Sequence, residues 1–242
     1  MGDGYGAVEF AAFTRSVDDV VGVPARVLDA LHRPIGIQVI GRAGVGRSTL
    51  VSVLERSGFA NVDEAPAVDA PGRPDPEIGP DVVVYVFTGA LRTPDIRVLA
   101  KAPGGSTVAV LAKADALGTW EDAVRAANAA AAETGVRTVP ARAGTDAGAV
   151  LAAVENCVRV ARARRTREAL DALAVAAAQD VGGAIRDGIE DLLRSDPAVF
   201  AGAEASAAVA VRGGDSAGDR RRRDVAERRA RTRRTVAAGP SR

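Results

Sequence analysis

The chain has one cysteine, Cys157, and one histidine, His32. A single cysteine excludes a disulfide framework and is compatible with a reducing compartment. No zinc site of the His/Cys kind can be assembled, and a Ser–His–Asp triad would have to use His32. That residue lies beside Arg33 and Pro34 at an element boundary and reads as an ordinary surface histidine. Aromatic residues make up 3% of the chain, so a core has to be built from Ala, Val, Leu and Ile. No run approaches the ~18 apolar residues needed to span a bilayer. The first residues, MGDGYGAVEF, lack the basic start and apolar stretch of a secretory signal, and Gly6 stands where a myristoylation signal has Ser or Thr. A cytoplasmic location is expected. A dominant charge is missing too: 32 basic residues face 31 acidic ones, so the molecule as a whole does not select partners by sign. Lysine is almost absent. Every Lys or Arg position except Lys101 and Lys113 is arginine, which makes a lysine informative.

What is present is patterned. Residues 1–15 lack periodicity and suggest a mobile arm. Asp18–Leu31 reads as a short amphipathic helix with Val20, Val27, Leu28 and Leu31 on one face, interrupted early by Pro24. Residues 34–40 form an apolar run ending at Gly41, as a strand buried on both faces does. A helix from Ser48 to Arg56 follows, with Leu50, Val51 and Leu54 inward. Residues 57–80 carry Pro66, Pro71, Pro74, Pro76 and Pro80 and read as loop, with a short strand near Ala67-Val68. Strands are expected at 81–87, 106–111 and 136–140. Helices are expected at 93–102 (Pro94 in the first turn), 120–133 and 147–165. Strands alternating with helices mean a largely parallel sheet with right-handed crossovers. The expected units are an arm and short helix over 1–33, an α/β domain over 34–165 and a helical extension over 166–211. The last carries a stripe of Val181, Ile185, Ile189, Leu192 and Leu193. Residues 212–242 read as a disordered or partly helical Arg-rich tail.

Four segments carry chemistry. Gly41-Arg42-Ala43-Gly44-Val45-Gly46-Arg47-Ser48 fits a phosphate-binding loop, with arginine in the lysine place. Its glycines let backbone N–H groups converge on a phosphate, and the helix that follows adds its positive end. Ser48, followed by Thr49, stands where a Mg²⁺-binding hydroxyl belongs. The alternative is an ordinary glycine-rich βα turn. Asp69-Ala70-Pro71-Gly72 is either a metal- and phosphate-sensing turn or a plain Asp-Pro-Gly turn. Ala112-Lys113-Ala114-Asp115 follows a buried strand. There Asp115 would accept from guanine N1 and N2 while the Lys113 stem covers the base; the alternative is a generic loop. In Val139-Pro140-Ala141-Arg142-Ala143 the backbone N–H of Ala143 would meet guanine O6.

In this order the segments resemble the translation-factor-related P-loop GTPase superfamily, in particular its Era-like and dynamin-like branches, over about residues 34–160. The resemblance implies a P-loop NTPase (Ras-like) three-layer α/β sandwich with a mainly parallel sheet, followed here by the helical extension. It implies GTP/GDP and Mg²⁺ as ligands. Gly41–Thr49 would surround the phosphates, Ser48 and Asp69 would hold the metal, Gly72 would sit in the second switch, and Lys113, Asp115 and Ala143 would read guanine. This chain departs from the family pattern at Arg47, at Ala112 (usually Asn or Thr) and at Arg142 (usually Ser). Residues 49–68 leave little room for a first switch, no threonine lies between Thr49 and Thr88, and residues 73–80 hold no Gln or His to position water. Guanine-nucleotide binding with weak or absent hydrolysis is therefore expected. The alternative is a pseudo-GTPase scaffold for a protein partner, in the resemblance a larger dynamin-like GTPase. The Arg-rich tail offers contacts to an anionic membrane or nucleic acid. It has no aromatic residue over 213–242, so base stacking there is not expected.

Overall fold

A computed structural model of the 242-residue chain describes residues 25–79, 81–142, 147–179, 183–213 and 217–238. In chain order its elements are α1 (Ala25–His32), β1 (Ile37–Gly41), α2 (Arg47–Arg56), β2 (Val62–Glu64), β3 (Val82–Phe87), α3 (Thr93–Lys101) and β4 (Thr107–Leu111). A 3-10 turn (Ala114–Leu117), α4 (Trp120–Thr134), β5 (Thr138–Pro140), α5 (Gly148–Gln179), α6 (Ala184–Arg194), α7 (Asp196–Gly213) and α8 (Ala217–Ala238) follow. The chain forms two units. One is Pro34–Ala161; the other joins Met1–Arg33 to Arg162–Arg242. The break between these units falls after Ala161, within α5.

The first unit is α/β with a five-stranded, all-parallel sheet in the order β2-β1-β3-β4-β5. Its central strands read as unbroken apolar runs because both faces are covered; all of β3 and β4 is buried. Period-2 alternation divides their side chains. Val39, Val84, Val86, Val108 and Val110 pack with Leu54 of α2 and Val150, Val154 and Cys157 of α5. Ile40, Val83, Tyr85, Phe87 and Leu111 pack with Val98 and Leu99 of α3 and with Ala127 and Ala130 of α4. The result is three layers, helix on sheet on helix. The strand order reverses direction at β1, with β2 on one side and β3 on the other. In an open parallel sheet, the crevice beyond the carboxyl ends of two such strands is where ligands bind. Here the loops after β1 and β3 border it.

The short strand expected near Ala67-Val68 lies earlier, at Val62–Glu64. The chain does continue beside β1: the Ala65 amide donates to Val39 O at 3.0 Å and the Val68 amide to Gly41 O at 3.1 Å. Val68 is one residue out of the alternation that Ala65 sets, and it returns only as an isolated bridge to Arg42.

The second unit is helical. Leu170, Leu173, Ile189 and Leu192 form its centre, with Ile185, Leu193 and Leu31 packed on them. The expected stripe is therefore inward, apart from Val181, which lies outside the described residues. Arg165 is buried and donates to the carbonyls of Ala30 and Arg33, at the end of α1 where backbone acceptors lack helical partners. The arm over 1–15 and the first part of the helix expected from Asp18 lie outside the described residues. The stretch expected as a disordered or partly helical tail contains the 22-residue helix α8. Arginine is a good helix former, and i, i+7 spacing puts Arg222 and Arg229 on one side of α8. They meet Asp171 at 2.6 Å and Asp196 at 2.9 Å, and Ala226 between them is buried. Arg221 and Arg228 remain exposed. Among the described residues, no helix is long and apolar enough to cross a membrane.

Candidate functional site

The glycine-rich turn leaves β1 at the sheet's reversal point. A Cβ on Gly41 would stand 2.3 Å from the carbonyl oxygen of Val86, so the approach of the two strands requires glycine there. Gly44 has a φ of +75°, a left-handed conformation that admits glycine cheaply. Val45 turns into the core, while Ala43, Ser48 and Thr49 are exposed. Gly46 precedes α2 without a side-chain cap, so the first amides of α2 have no side-chain partner at that residue. Those amides and the positive end of α2 suit an anion.

The two arginines of this turn do different work. Arg42 Nε donates to Asp95 Oδ1 at 2.9 Å, and the Tyr85 hydroxyl donates to the same oxygen at 2.6 Å. Asp95 Oδ2 accepts from the Arg92 amide at 2.7 Å, at the start of α3. Asp95 is fully buried, so the Tyr85 bond forms out of water, while the Arg42 and Arg92 bonds lie at the edge of the core. Burial, reinforced by the Asp95 carboxylate, pushes the Tyr85 phenol far above its ordinary range. The Arg42 side chain therefore ties the turn to α3, which leaves its backbone to face a ligand.

Arg47, expected at the phosphates, has its guanidinium on the carboxylate of Glu64 at 3.4 Å and on the Ala65 carbonyl. In this structure its side chain is thus engaged at the end of β2. Arginine's long planar fork reaches two acceptors at the end of β2 that a compact ammonium would not satisfy together. To meet a phosphate, Arg47 has to release or share them.

The bridge between Val68 and Arg42 brings Asp69 next to the start of the glycine-rich turn. Asp69 is exposed with a φ of 59°, and its amide donates to Asp75 Oδ1 at 2.9 Å. Gly72 is exposed in the turn that follows, closed by Arg73 N–H to Ala70 O at 3.1 Å. Gln38 of β1 clips the same loop, donating to Glu77 O at 2.9 Å and accepting from the Gly79 amide at 2.8 Å. Among the described residues, no group of three or more His, Cys, Asp or Glu side chains could hold a metal. The oxygens of Ser48 and Asp69 are hard donors. They fit a cation such as Mg²⁺, which takes few protein ligands and keeps several waters.

Lys113 follows β4 in a left-handed conformation (φ 55°), and its Nζ donates to Gly44 O at 3.0 Å. Asp115 is exposed on the 3-10 turn, which is held to the end of β5 by Ala114 N–H to Ala141 O at 3.0 Å. Ala143 lies outside the described residues. A cavity of about 440 Å³ runs from Gly46 and Thr49 to Lys113 and Arg142, lined between them by Leu50 and Val150. That volume is in the range of small-molecule sites. The structure thus joins the first and third segments through a direct bond and the second through the Arg42–Val68 bridge.

Sequence reasoning passed over Gln38, Glu64, Asp75, Tyr85, Asp95 and Trp120. For Asp95 a signal existed, since an acid three residues into α3 is the capping-box position. The partnerships of Gln38, Glu64 and Trp120 join separate elements and left no local trace. Comparisons with protein-family models, with curated proteins and with solved structures found no match for this chain.

Proposed function

We propose that the α/β unit is a P-loop, Ras-like domain that binds GDP and GTP and hydrolyses GTP slowly or not at all. The observation that carries this reading is the bond from Lys113 Nζ to Gly44 O at 3.0 Å. It joins the turn suited to phosphate and the turn suited to a base, which lie far apart in sequence, beside one cavity at the carboxyl ends of β3 and β4. The amides of Gly44–Thr49 receive the phosphates, the Lys113 stem covers the base, and Asp115 accepts from N1 and N2 of guanine. Ser48 and Asp69 are the residues that would hold Mg²⁺, which offsets phosphate charge when bound. Weak turnover is supported by Arg47, whose guanidinium Glu64 and Ala65 engage, and by the lack of a Gln or His over 73–80 to position water.

The same engagement of Arg47 favours a second reading, a scaffold that binds a partner protein without turnover. Titration of nucleotide-stripped protein with fluorescent GDP, GTP and ATP, with and without Mg²⁺, tests the first. Guanine-selective binding that is lost in Asp115→Ala is expected. Absence of binding to all three nucleotides overturns it and leaves the scaffold.

A further inference from the structure

Arg142 lies just past β5, and its Cζ sits 4.6 Å from the centroid of the Trp120 ring, at the first residue of α4. Trp120 is the chain's single tryptophan and is 42% exposed. A guanidinium lying on an indole face is oriented by the ring's quadrupole, while its N–H donors point outward in the guanidinium plane. Among the described residues, no acceptor takes a hydrogen bond from those donors. Arg142 also lines the cavity that Lys113 and Thr49 line.

The other charged side chains around that cavity are engaged. Arg56 Nε is bonded to Ser52 O at 3.0 Å, and Lys113 Nζ to Gly44 O at 3.0 Å. Residue 112, before the lysine, is alanine and has no polar group. If Asp115 takes the N1 and N2 donors of guanine and the Ala143 amide, as the resemblance implies, takes one lone pair of O6, the second lone pair of O6 and the N7 acceptor are left to another residue. A planar fork of donors is the group that matches them: arginine pairs with O6 and N7 in a bidentate way. Adenine presents an N6 amino donor where guanine has O6, which sets donor against donor.

We propose that Arg142 is a specificity residue that reads the O6/N7 edge of guanine, presented for that purpose by Trp120. The proposal rests on the guanine-binding reading above, and the test separates the two. GDP, inosine diphosphate, 7-deaza-GDP and ADP are titrated against the full chain, with Trp120 fluorescence as one readout and calorimetry as the other. The 7-deaza analogue lacks only the N7 acceptor, and inosine lacks only the N2 donor. The wild type should bind GDP about tenfold more tightly than 7-deaza-GDP. Arg142→Ala should erase that difference, and Arg142→Lys, which keeps donors but not the planar fork, should reduce it. Both should keep the preference of GDP over inosine diphosphate, which Asp115→Ala should abolish. A wild type that binds GDP and 7-deaza-GDP equally, or an Arg142→Ala variant that still separates them, overturns the proposal and leaves guanine binding standing. A wild type that binds none of the four overturns both.

Discussion

Replacing Asp95 by leucine removes the acceptor on which three donors converge. Tyr85 and Asp95 are fully buried, and the Arg42 side chain is 16% exposed. The 2.6 Å bond from the Tyr85 hydroxyl and the 2.9 Å bond from Arg42 are both charge-assisted, the stronger class of hydrogen bond. Breaking a buried ion pair by removing one partner costs about 3–5 kcal/mol, because the other charge is left uncompensated. A stranded buried hydroxyl adds about 1–3 kcal/mol. Arg42 keeps some access to water and the terms are not additive, so a total of about 3–5 kcal/mol is expected. For a chain of this size that lowers Tm by roughly 10 °C, read by circular dichroism. The sharper test is a cycle with Arg42→Met. With no guanidinium to strand, the double variant should be more stable than Asp95→Leu alone. If Asp95→Leu costs less than about 1 kcal/mol, or the double variant is less stable than it, the network does not hold the glycine-rich turn as described.

Gly41→Ala and Gly44→Ala should behave differently although both sit in one turn. The first meets the Val86 carbonyl at 2.3 Å and should cost at least the upper end of the ~1–3 kcal/mol range for overpacking. The second has open space and a left-handed φ, so about 1–2 kcal/mol is expected; equal losses in urea denaturation would refute the distinction. The Asp122 carboxyl is held below its ordinary value by the Thr119 hydroxyl and then by the Thr119 amide, the capping box of α4. A depressed folded value means that its stabilisation is present above the unfolded value of ~3.9 and is lost as pH falls through the folded one. In Thr119→Val, the Asp122 carboxyl should titrate higher by NMR; an unchanged titration would remove the hydroxyl as the cause.

The α/β unit was legible in the sequence because its signals are local. Buried strands read as apolar runs at 34–40, 81–87 and 106–111, the helices between them carry their own periodicity, and Pro94 marks one helix start. The glycine-rich turn and the Lys113-Asp115 turn were visible for the same reason, since each is a few residues beside a strand. What those turns do with one another was not. The bond from Lys113 to Gly44, the arginines drawn to Asp95 and to Glu64, and the placing of Arg142 on Trp120 depend on the sheet order that brings the loops together. The Arg-rich end shows the same division: its composition resembles that of a solvated tail, yet Arg222 and Arg229 find carboxylates on other helices. The sequence by itself determined which segments would become strands, helices and tight turns, because hydrophobic period, glycine and proline act over a few residues. Only the tertiary structure decided which charges would meet, because a side chain's partner is whatever the packing of distant segments sets within about 3–4 Å of it.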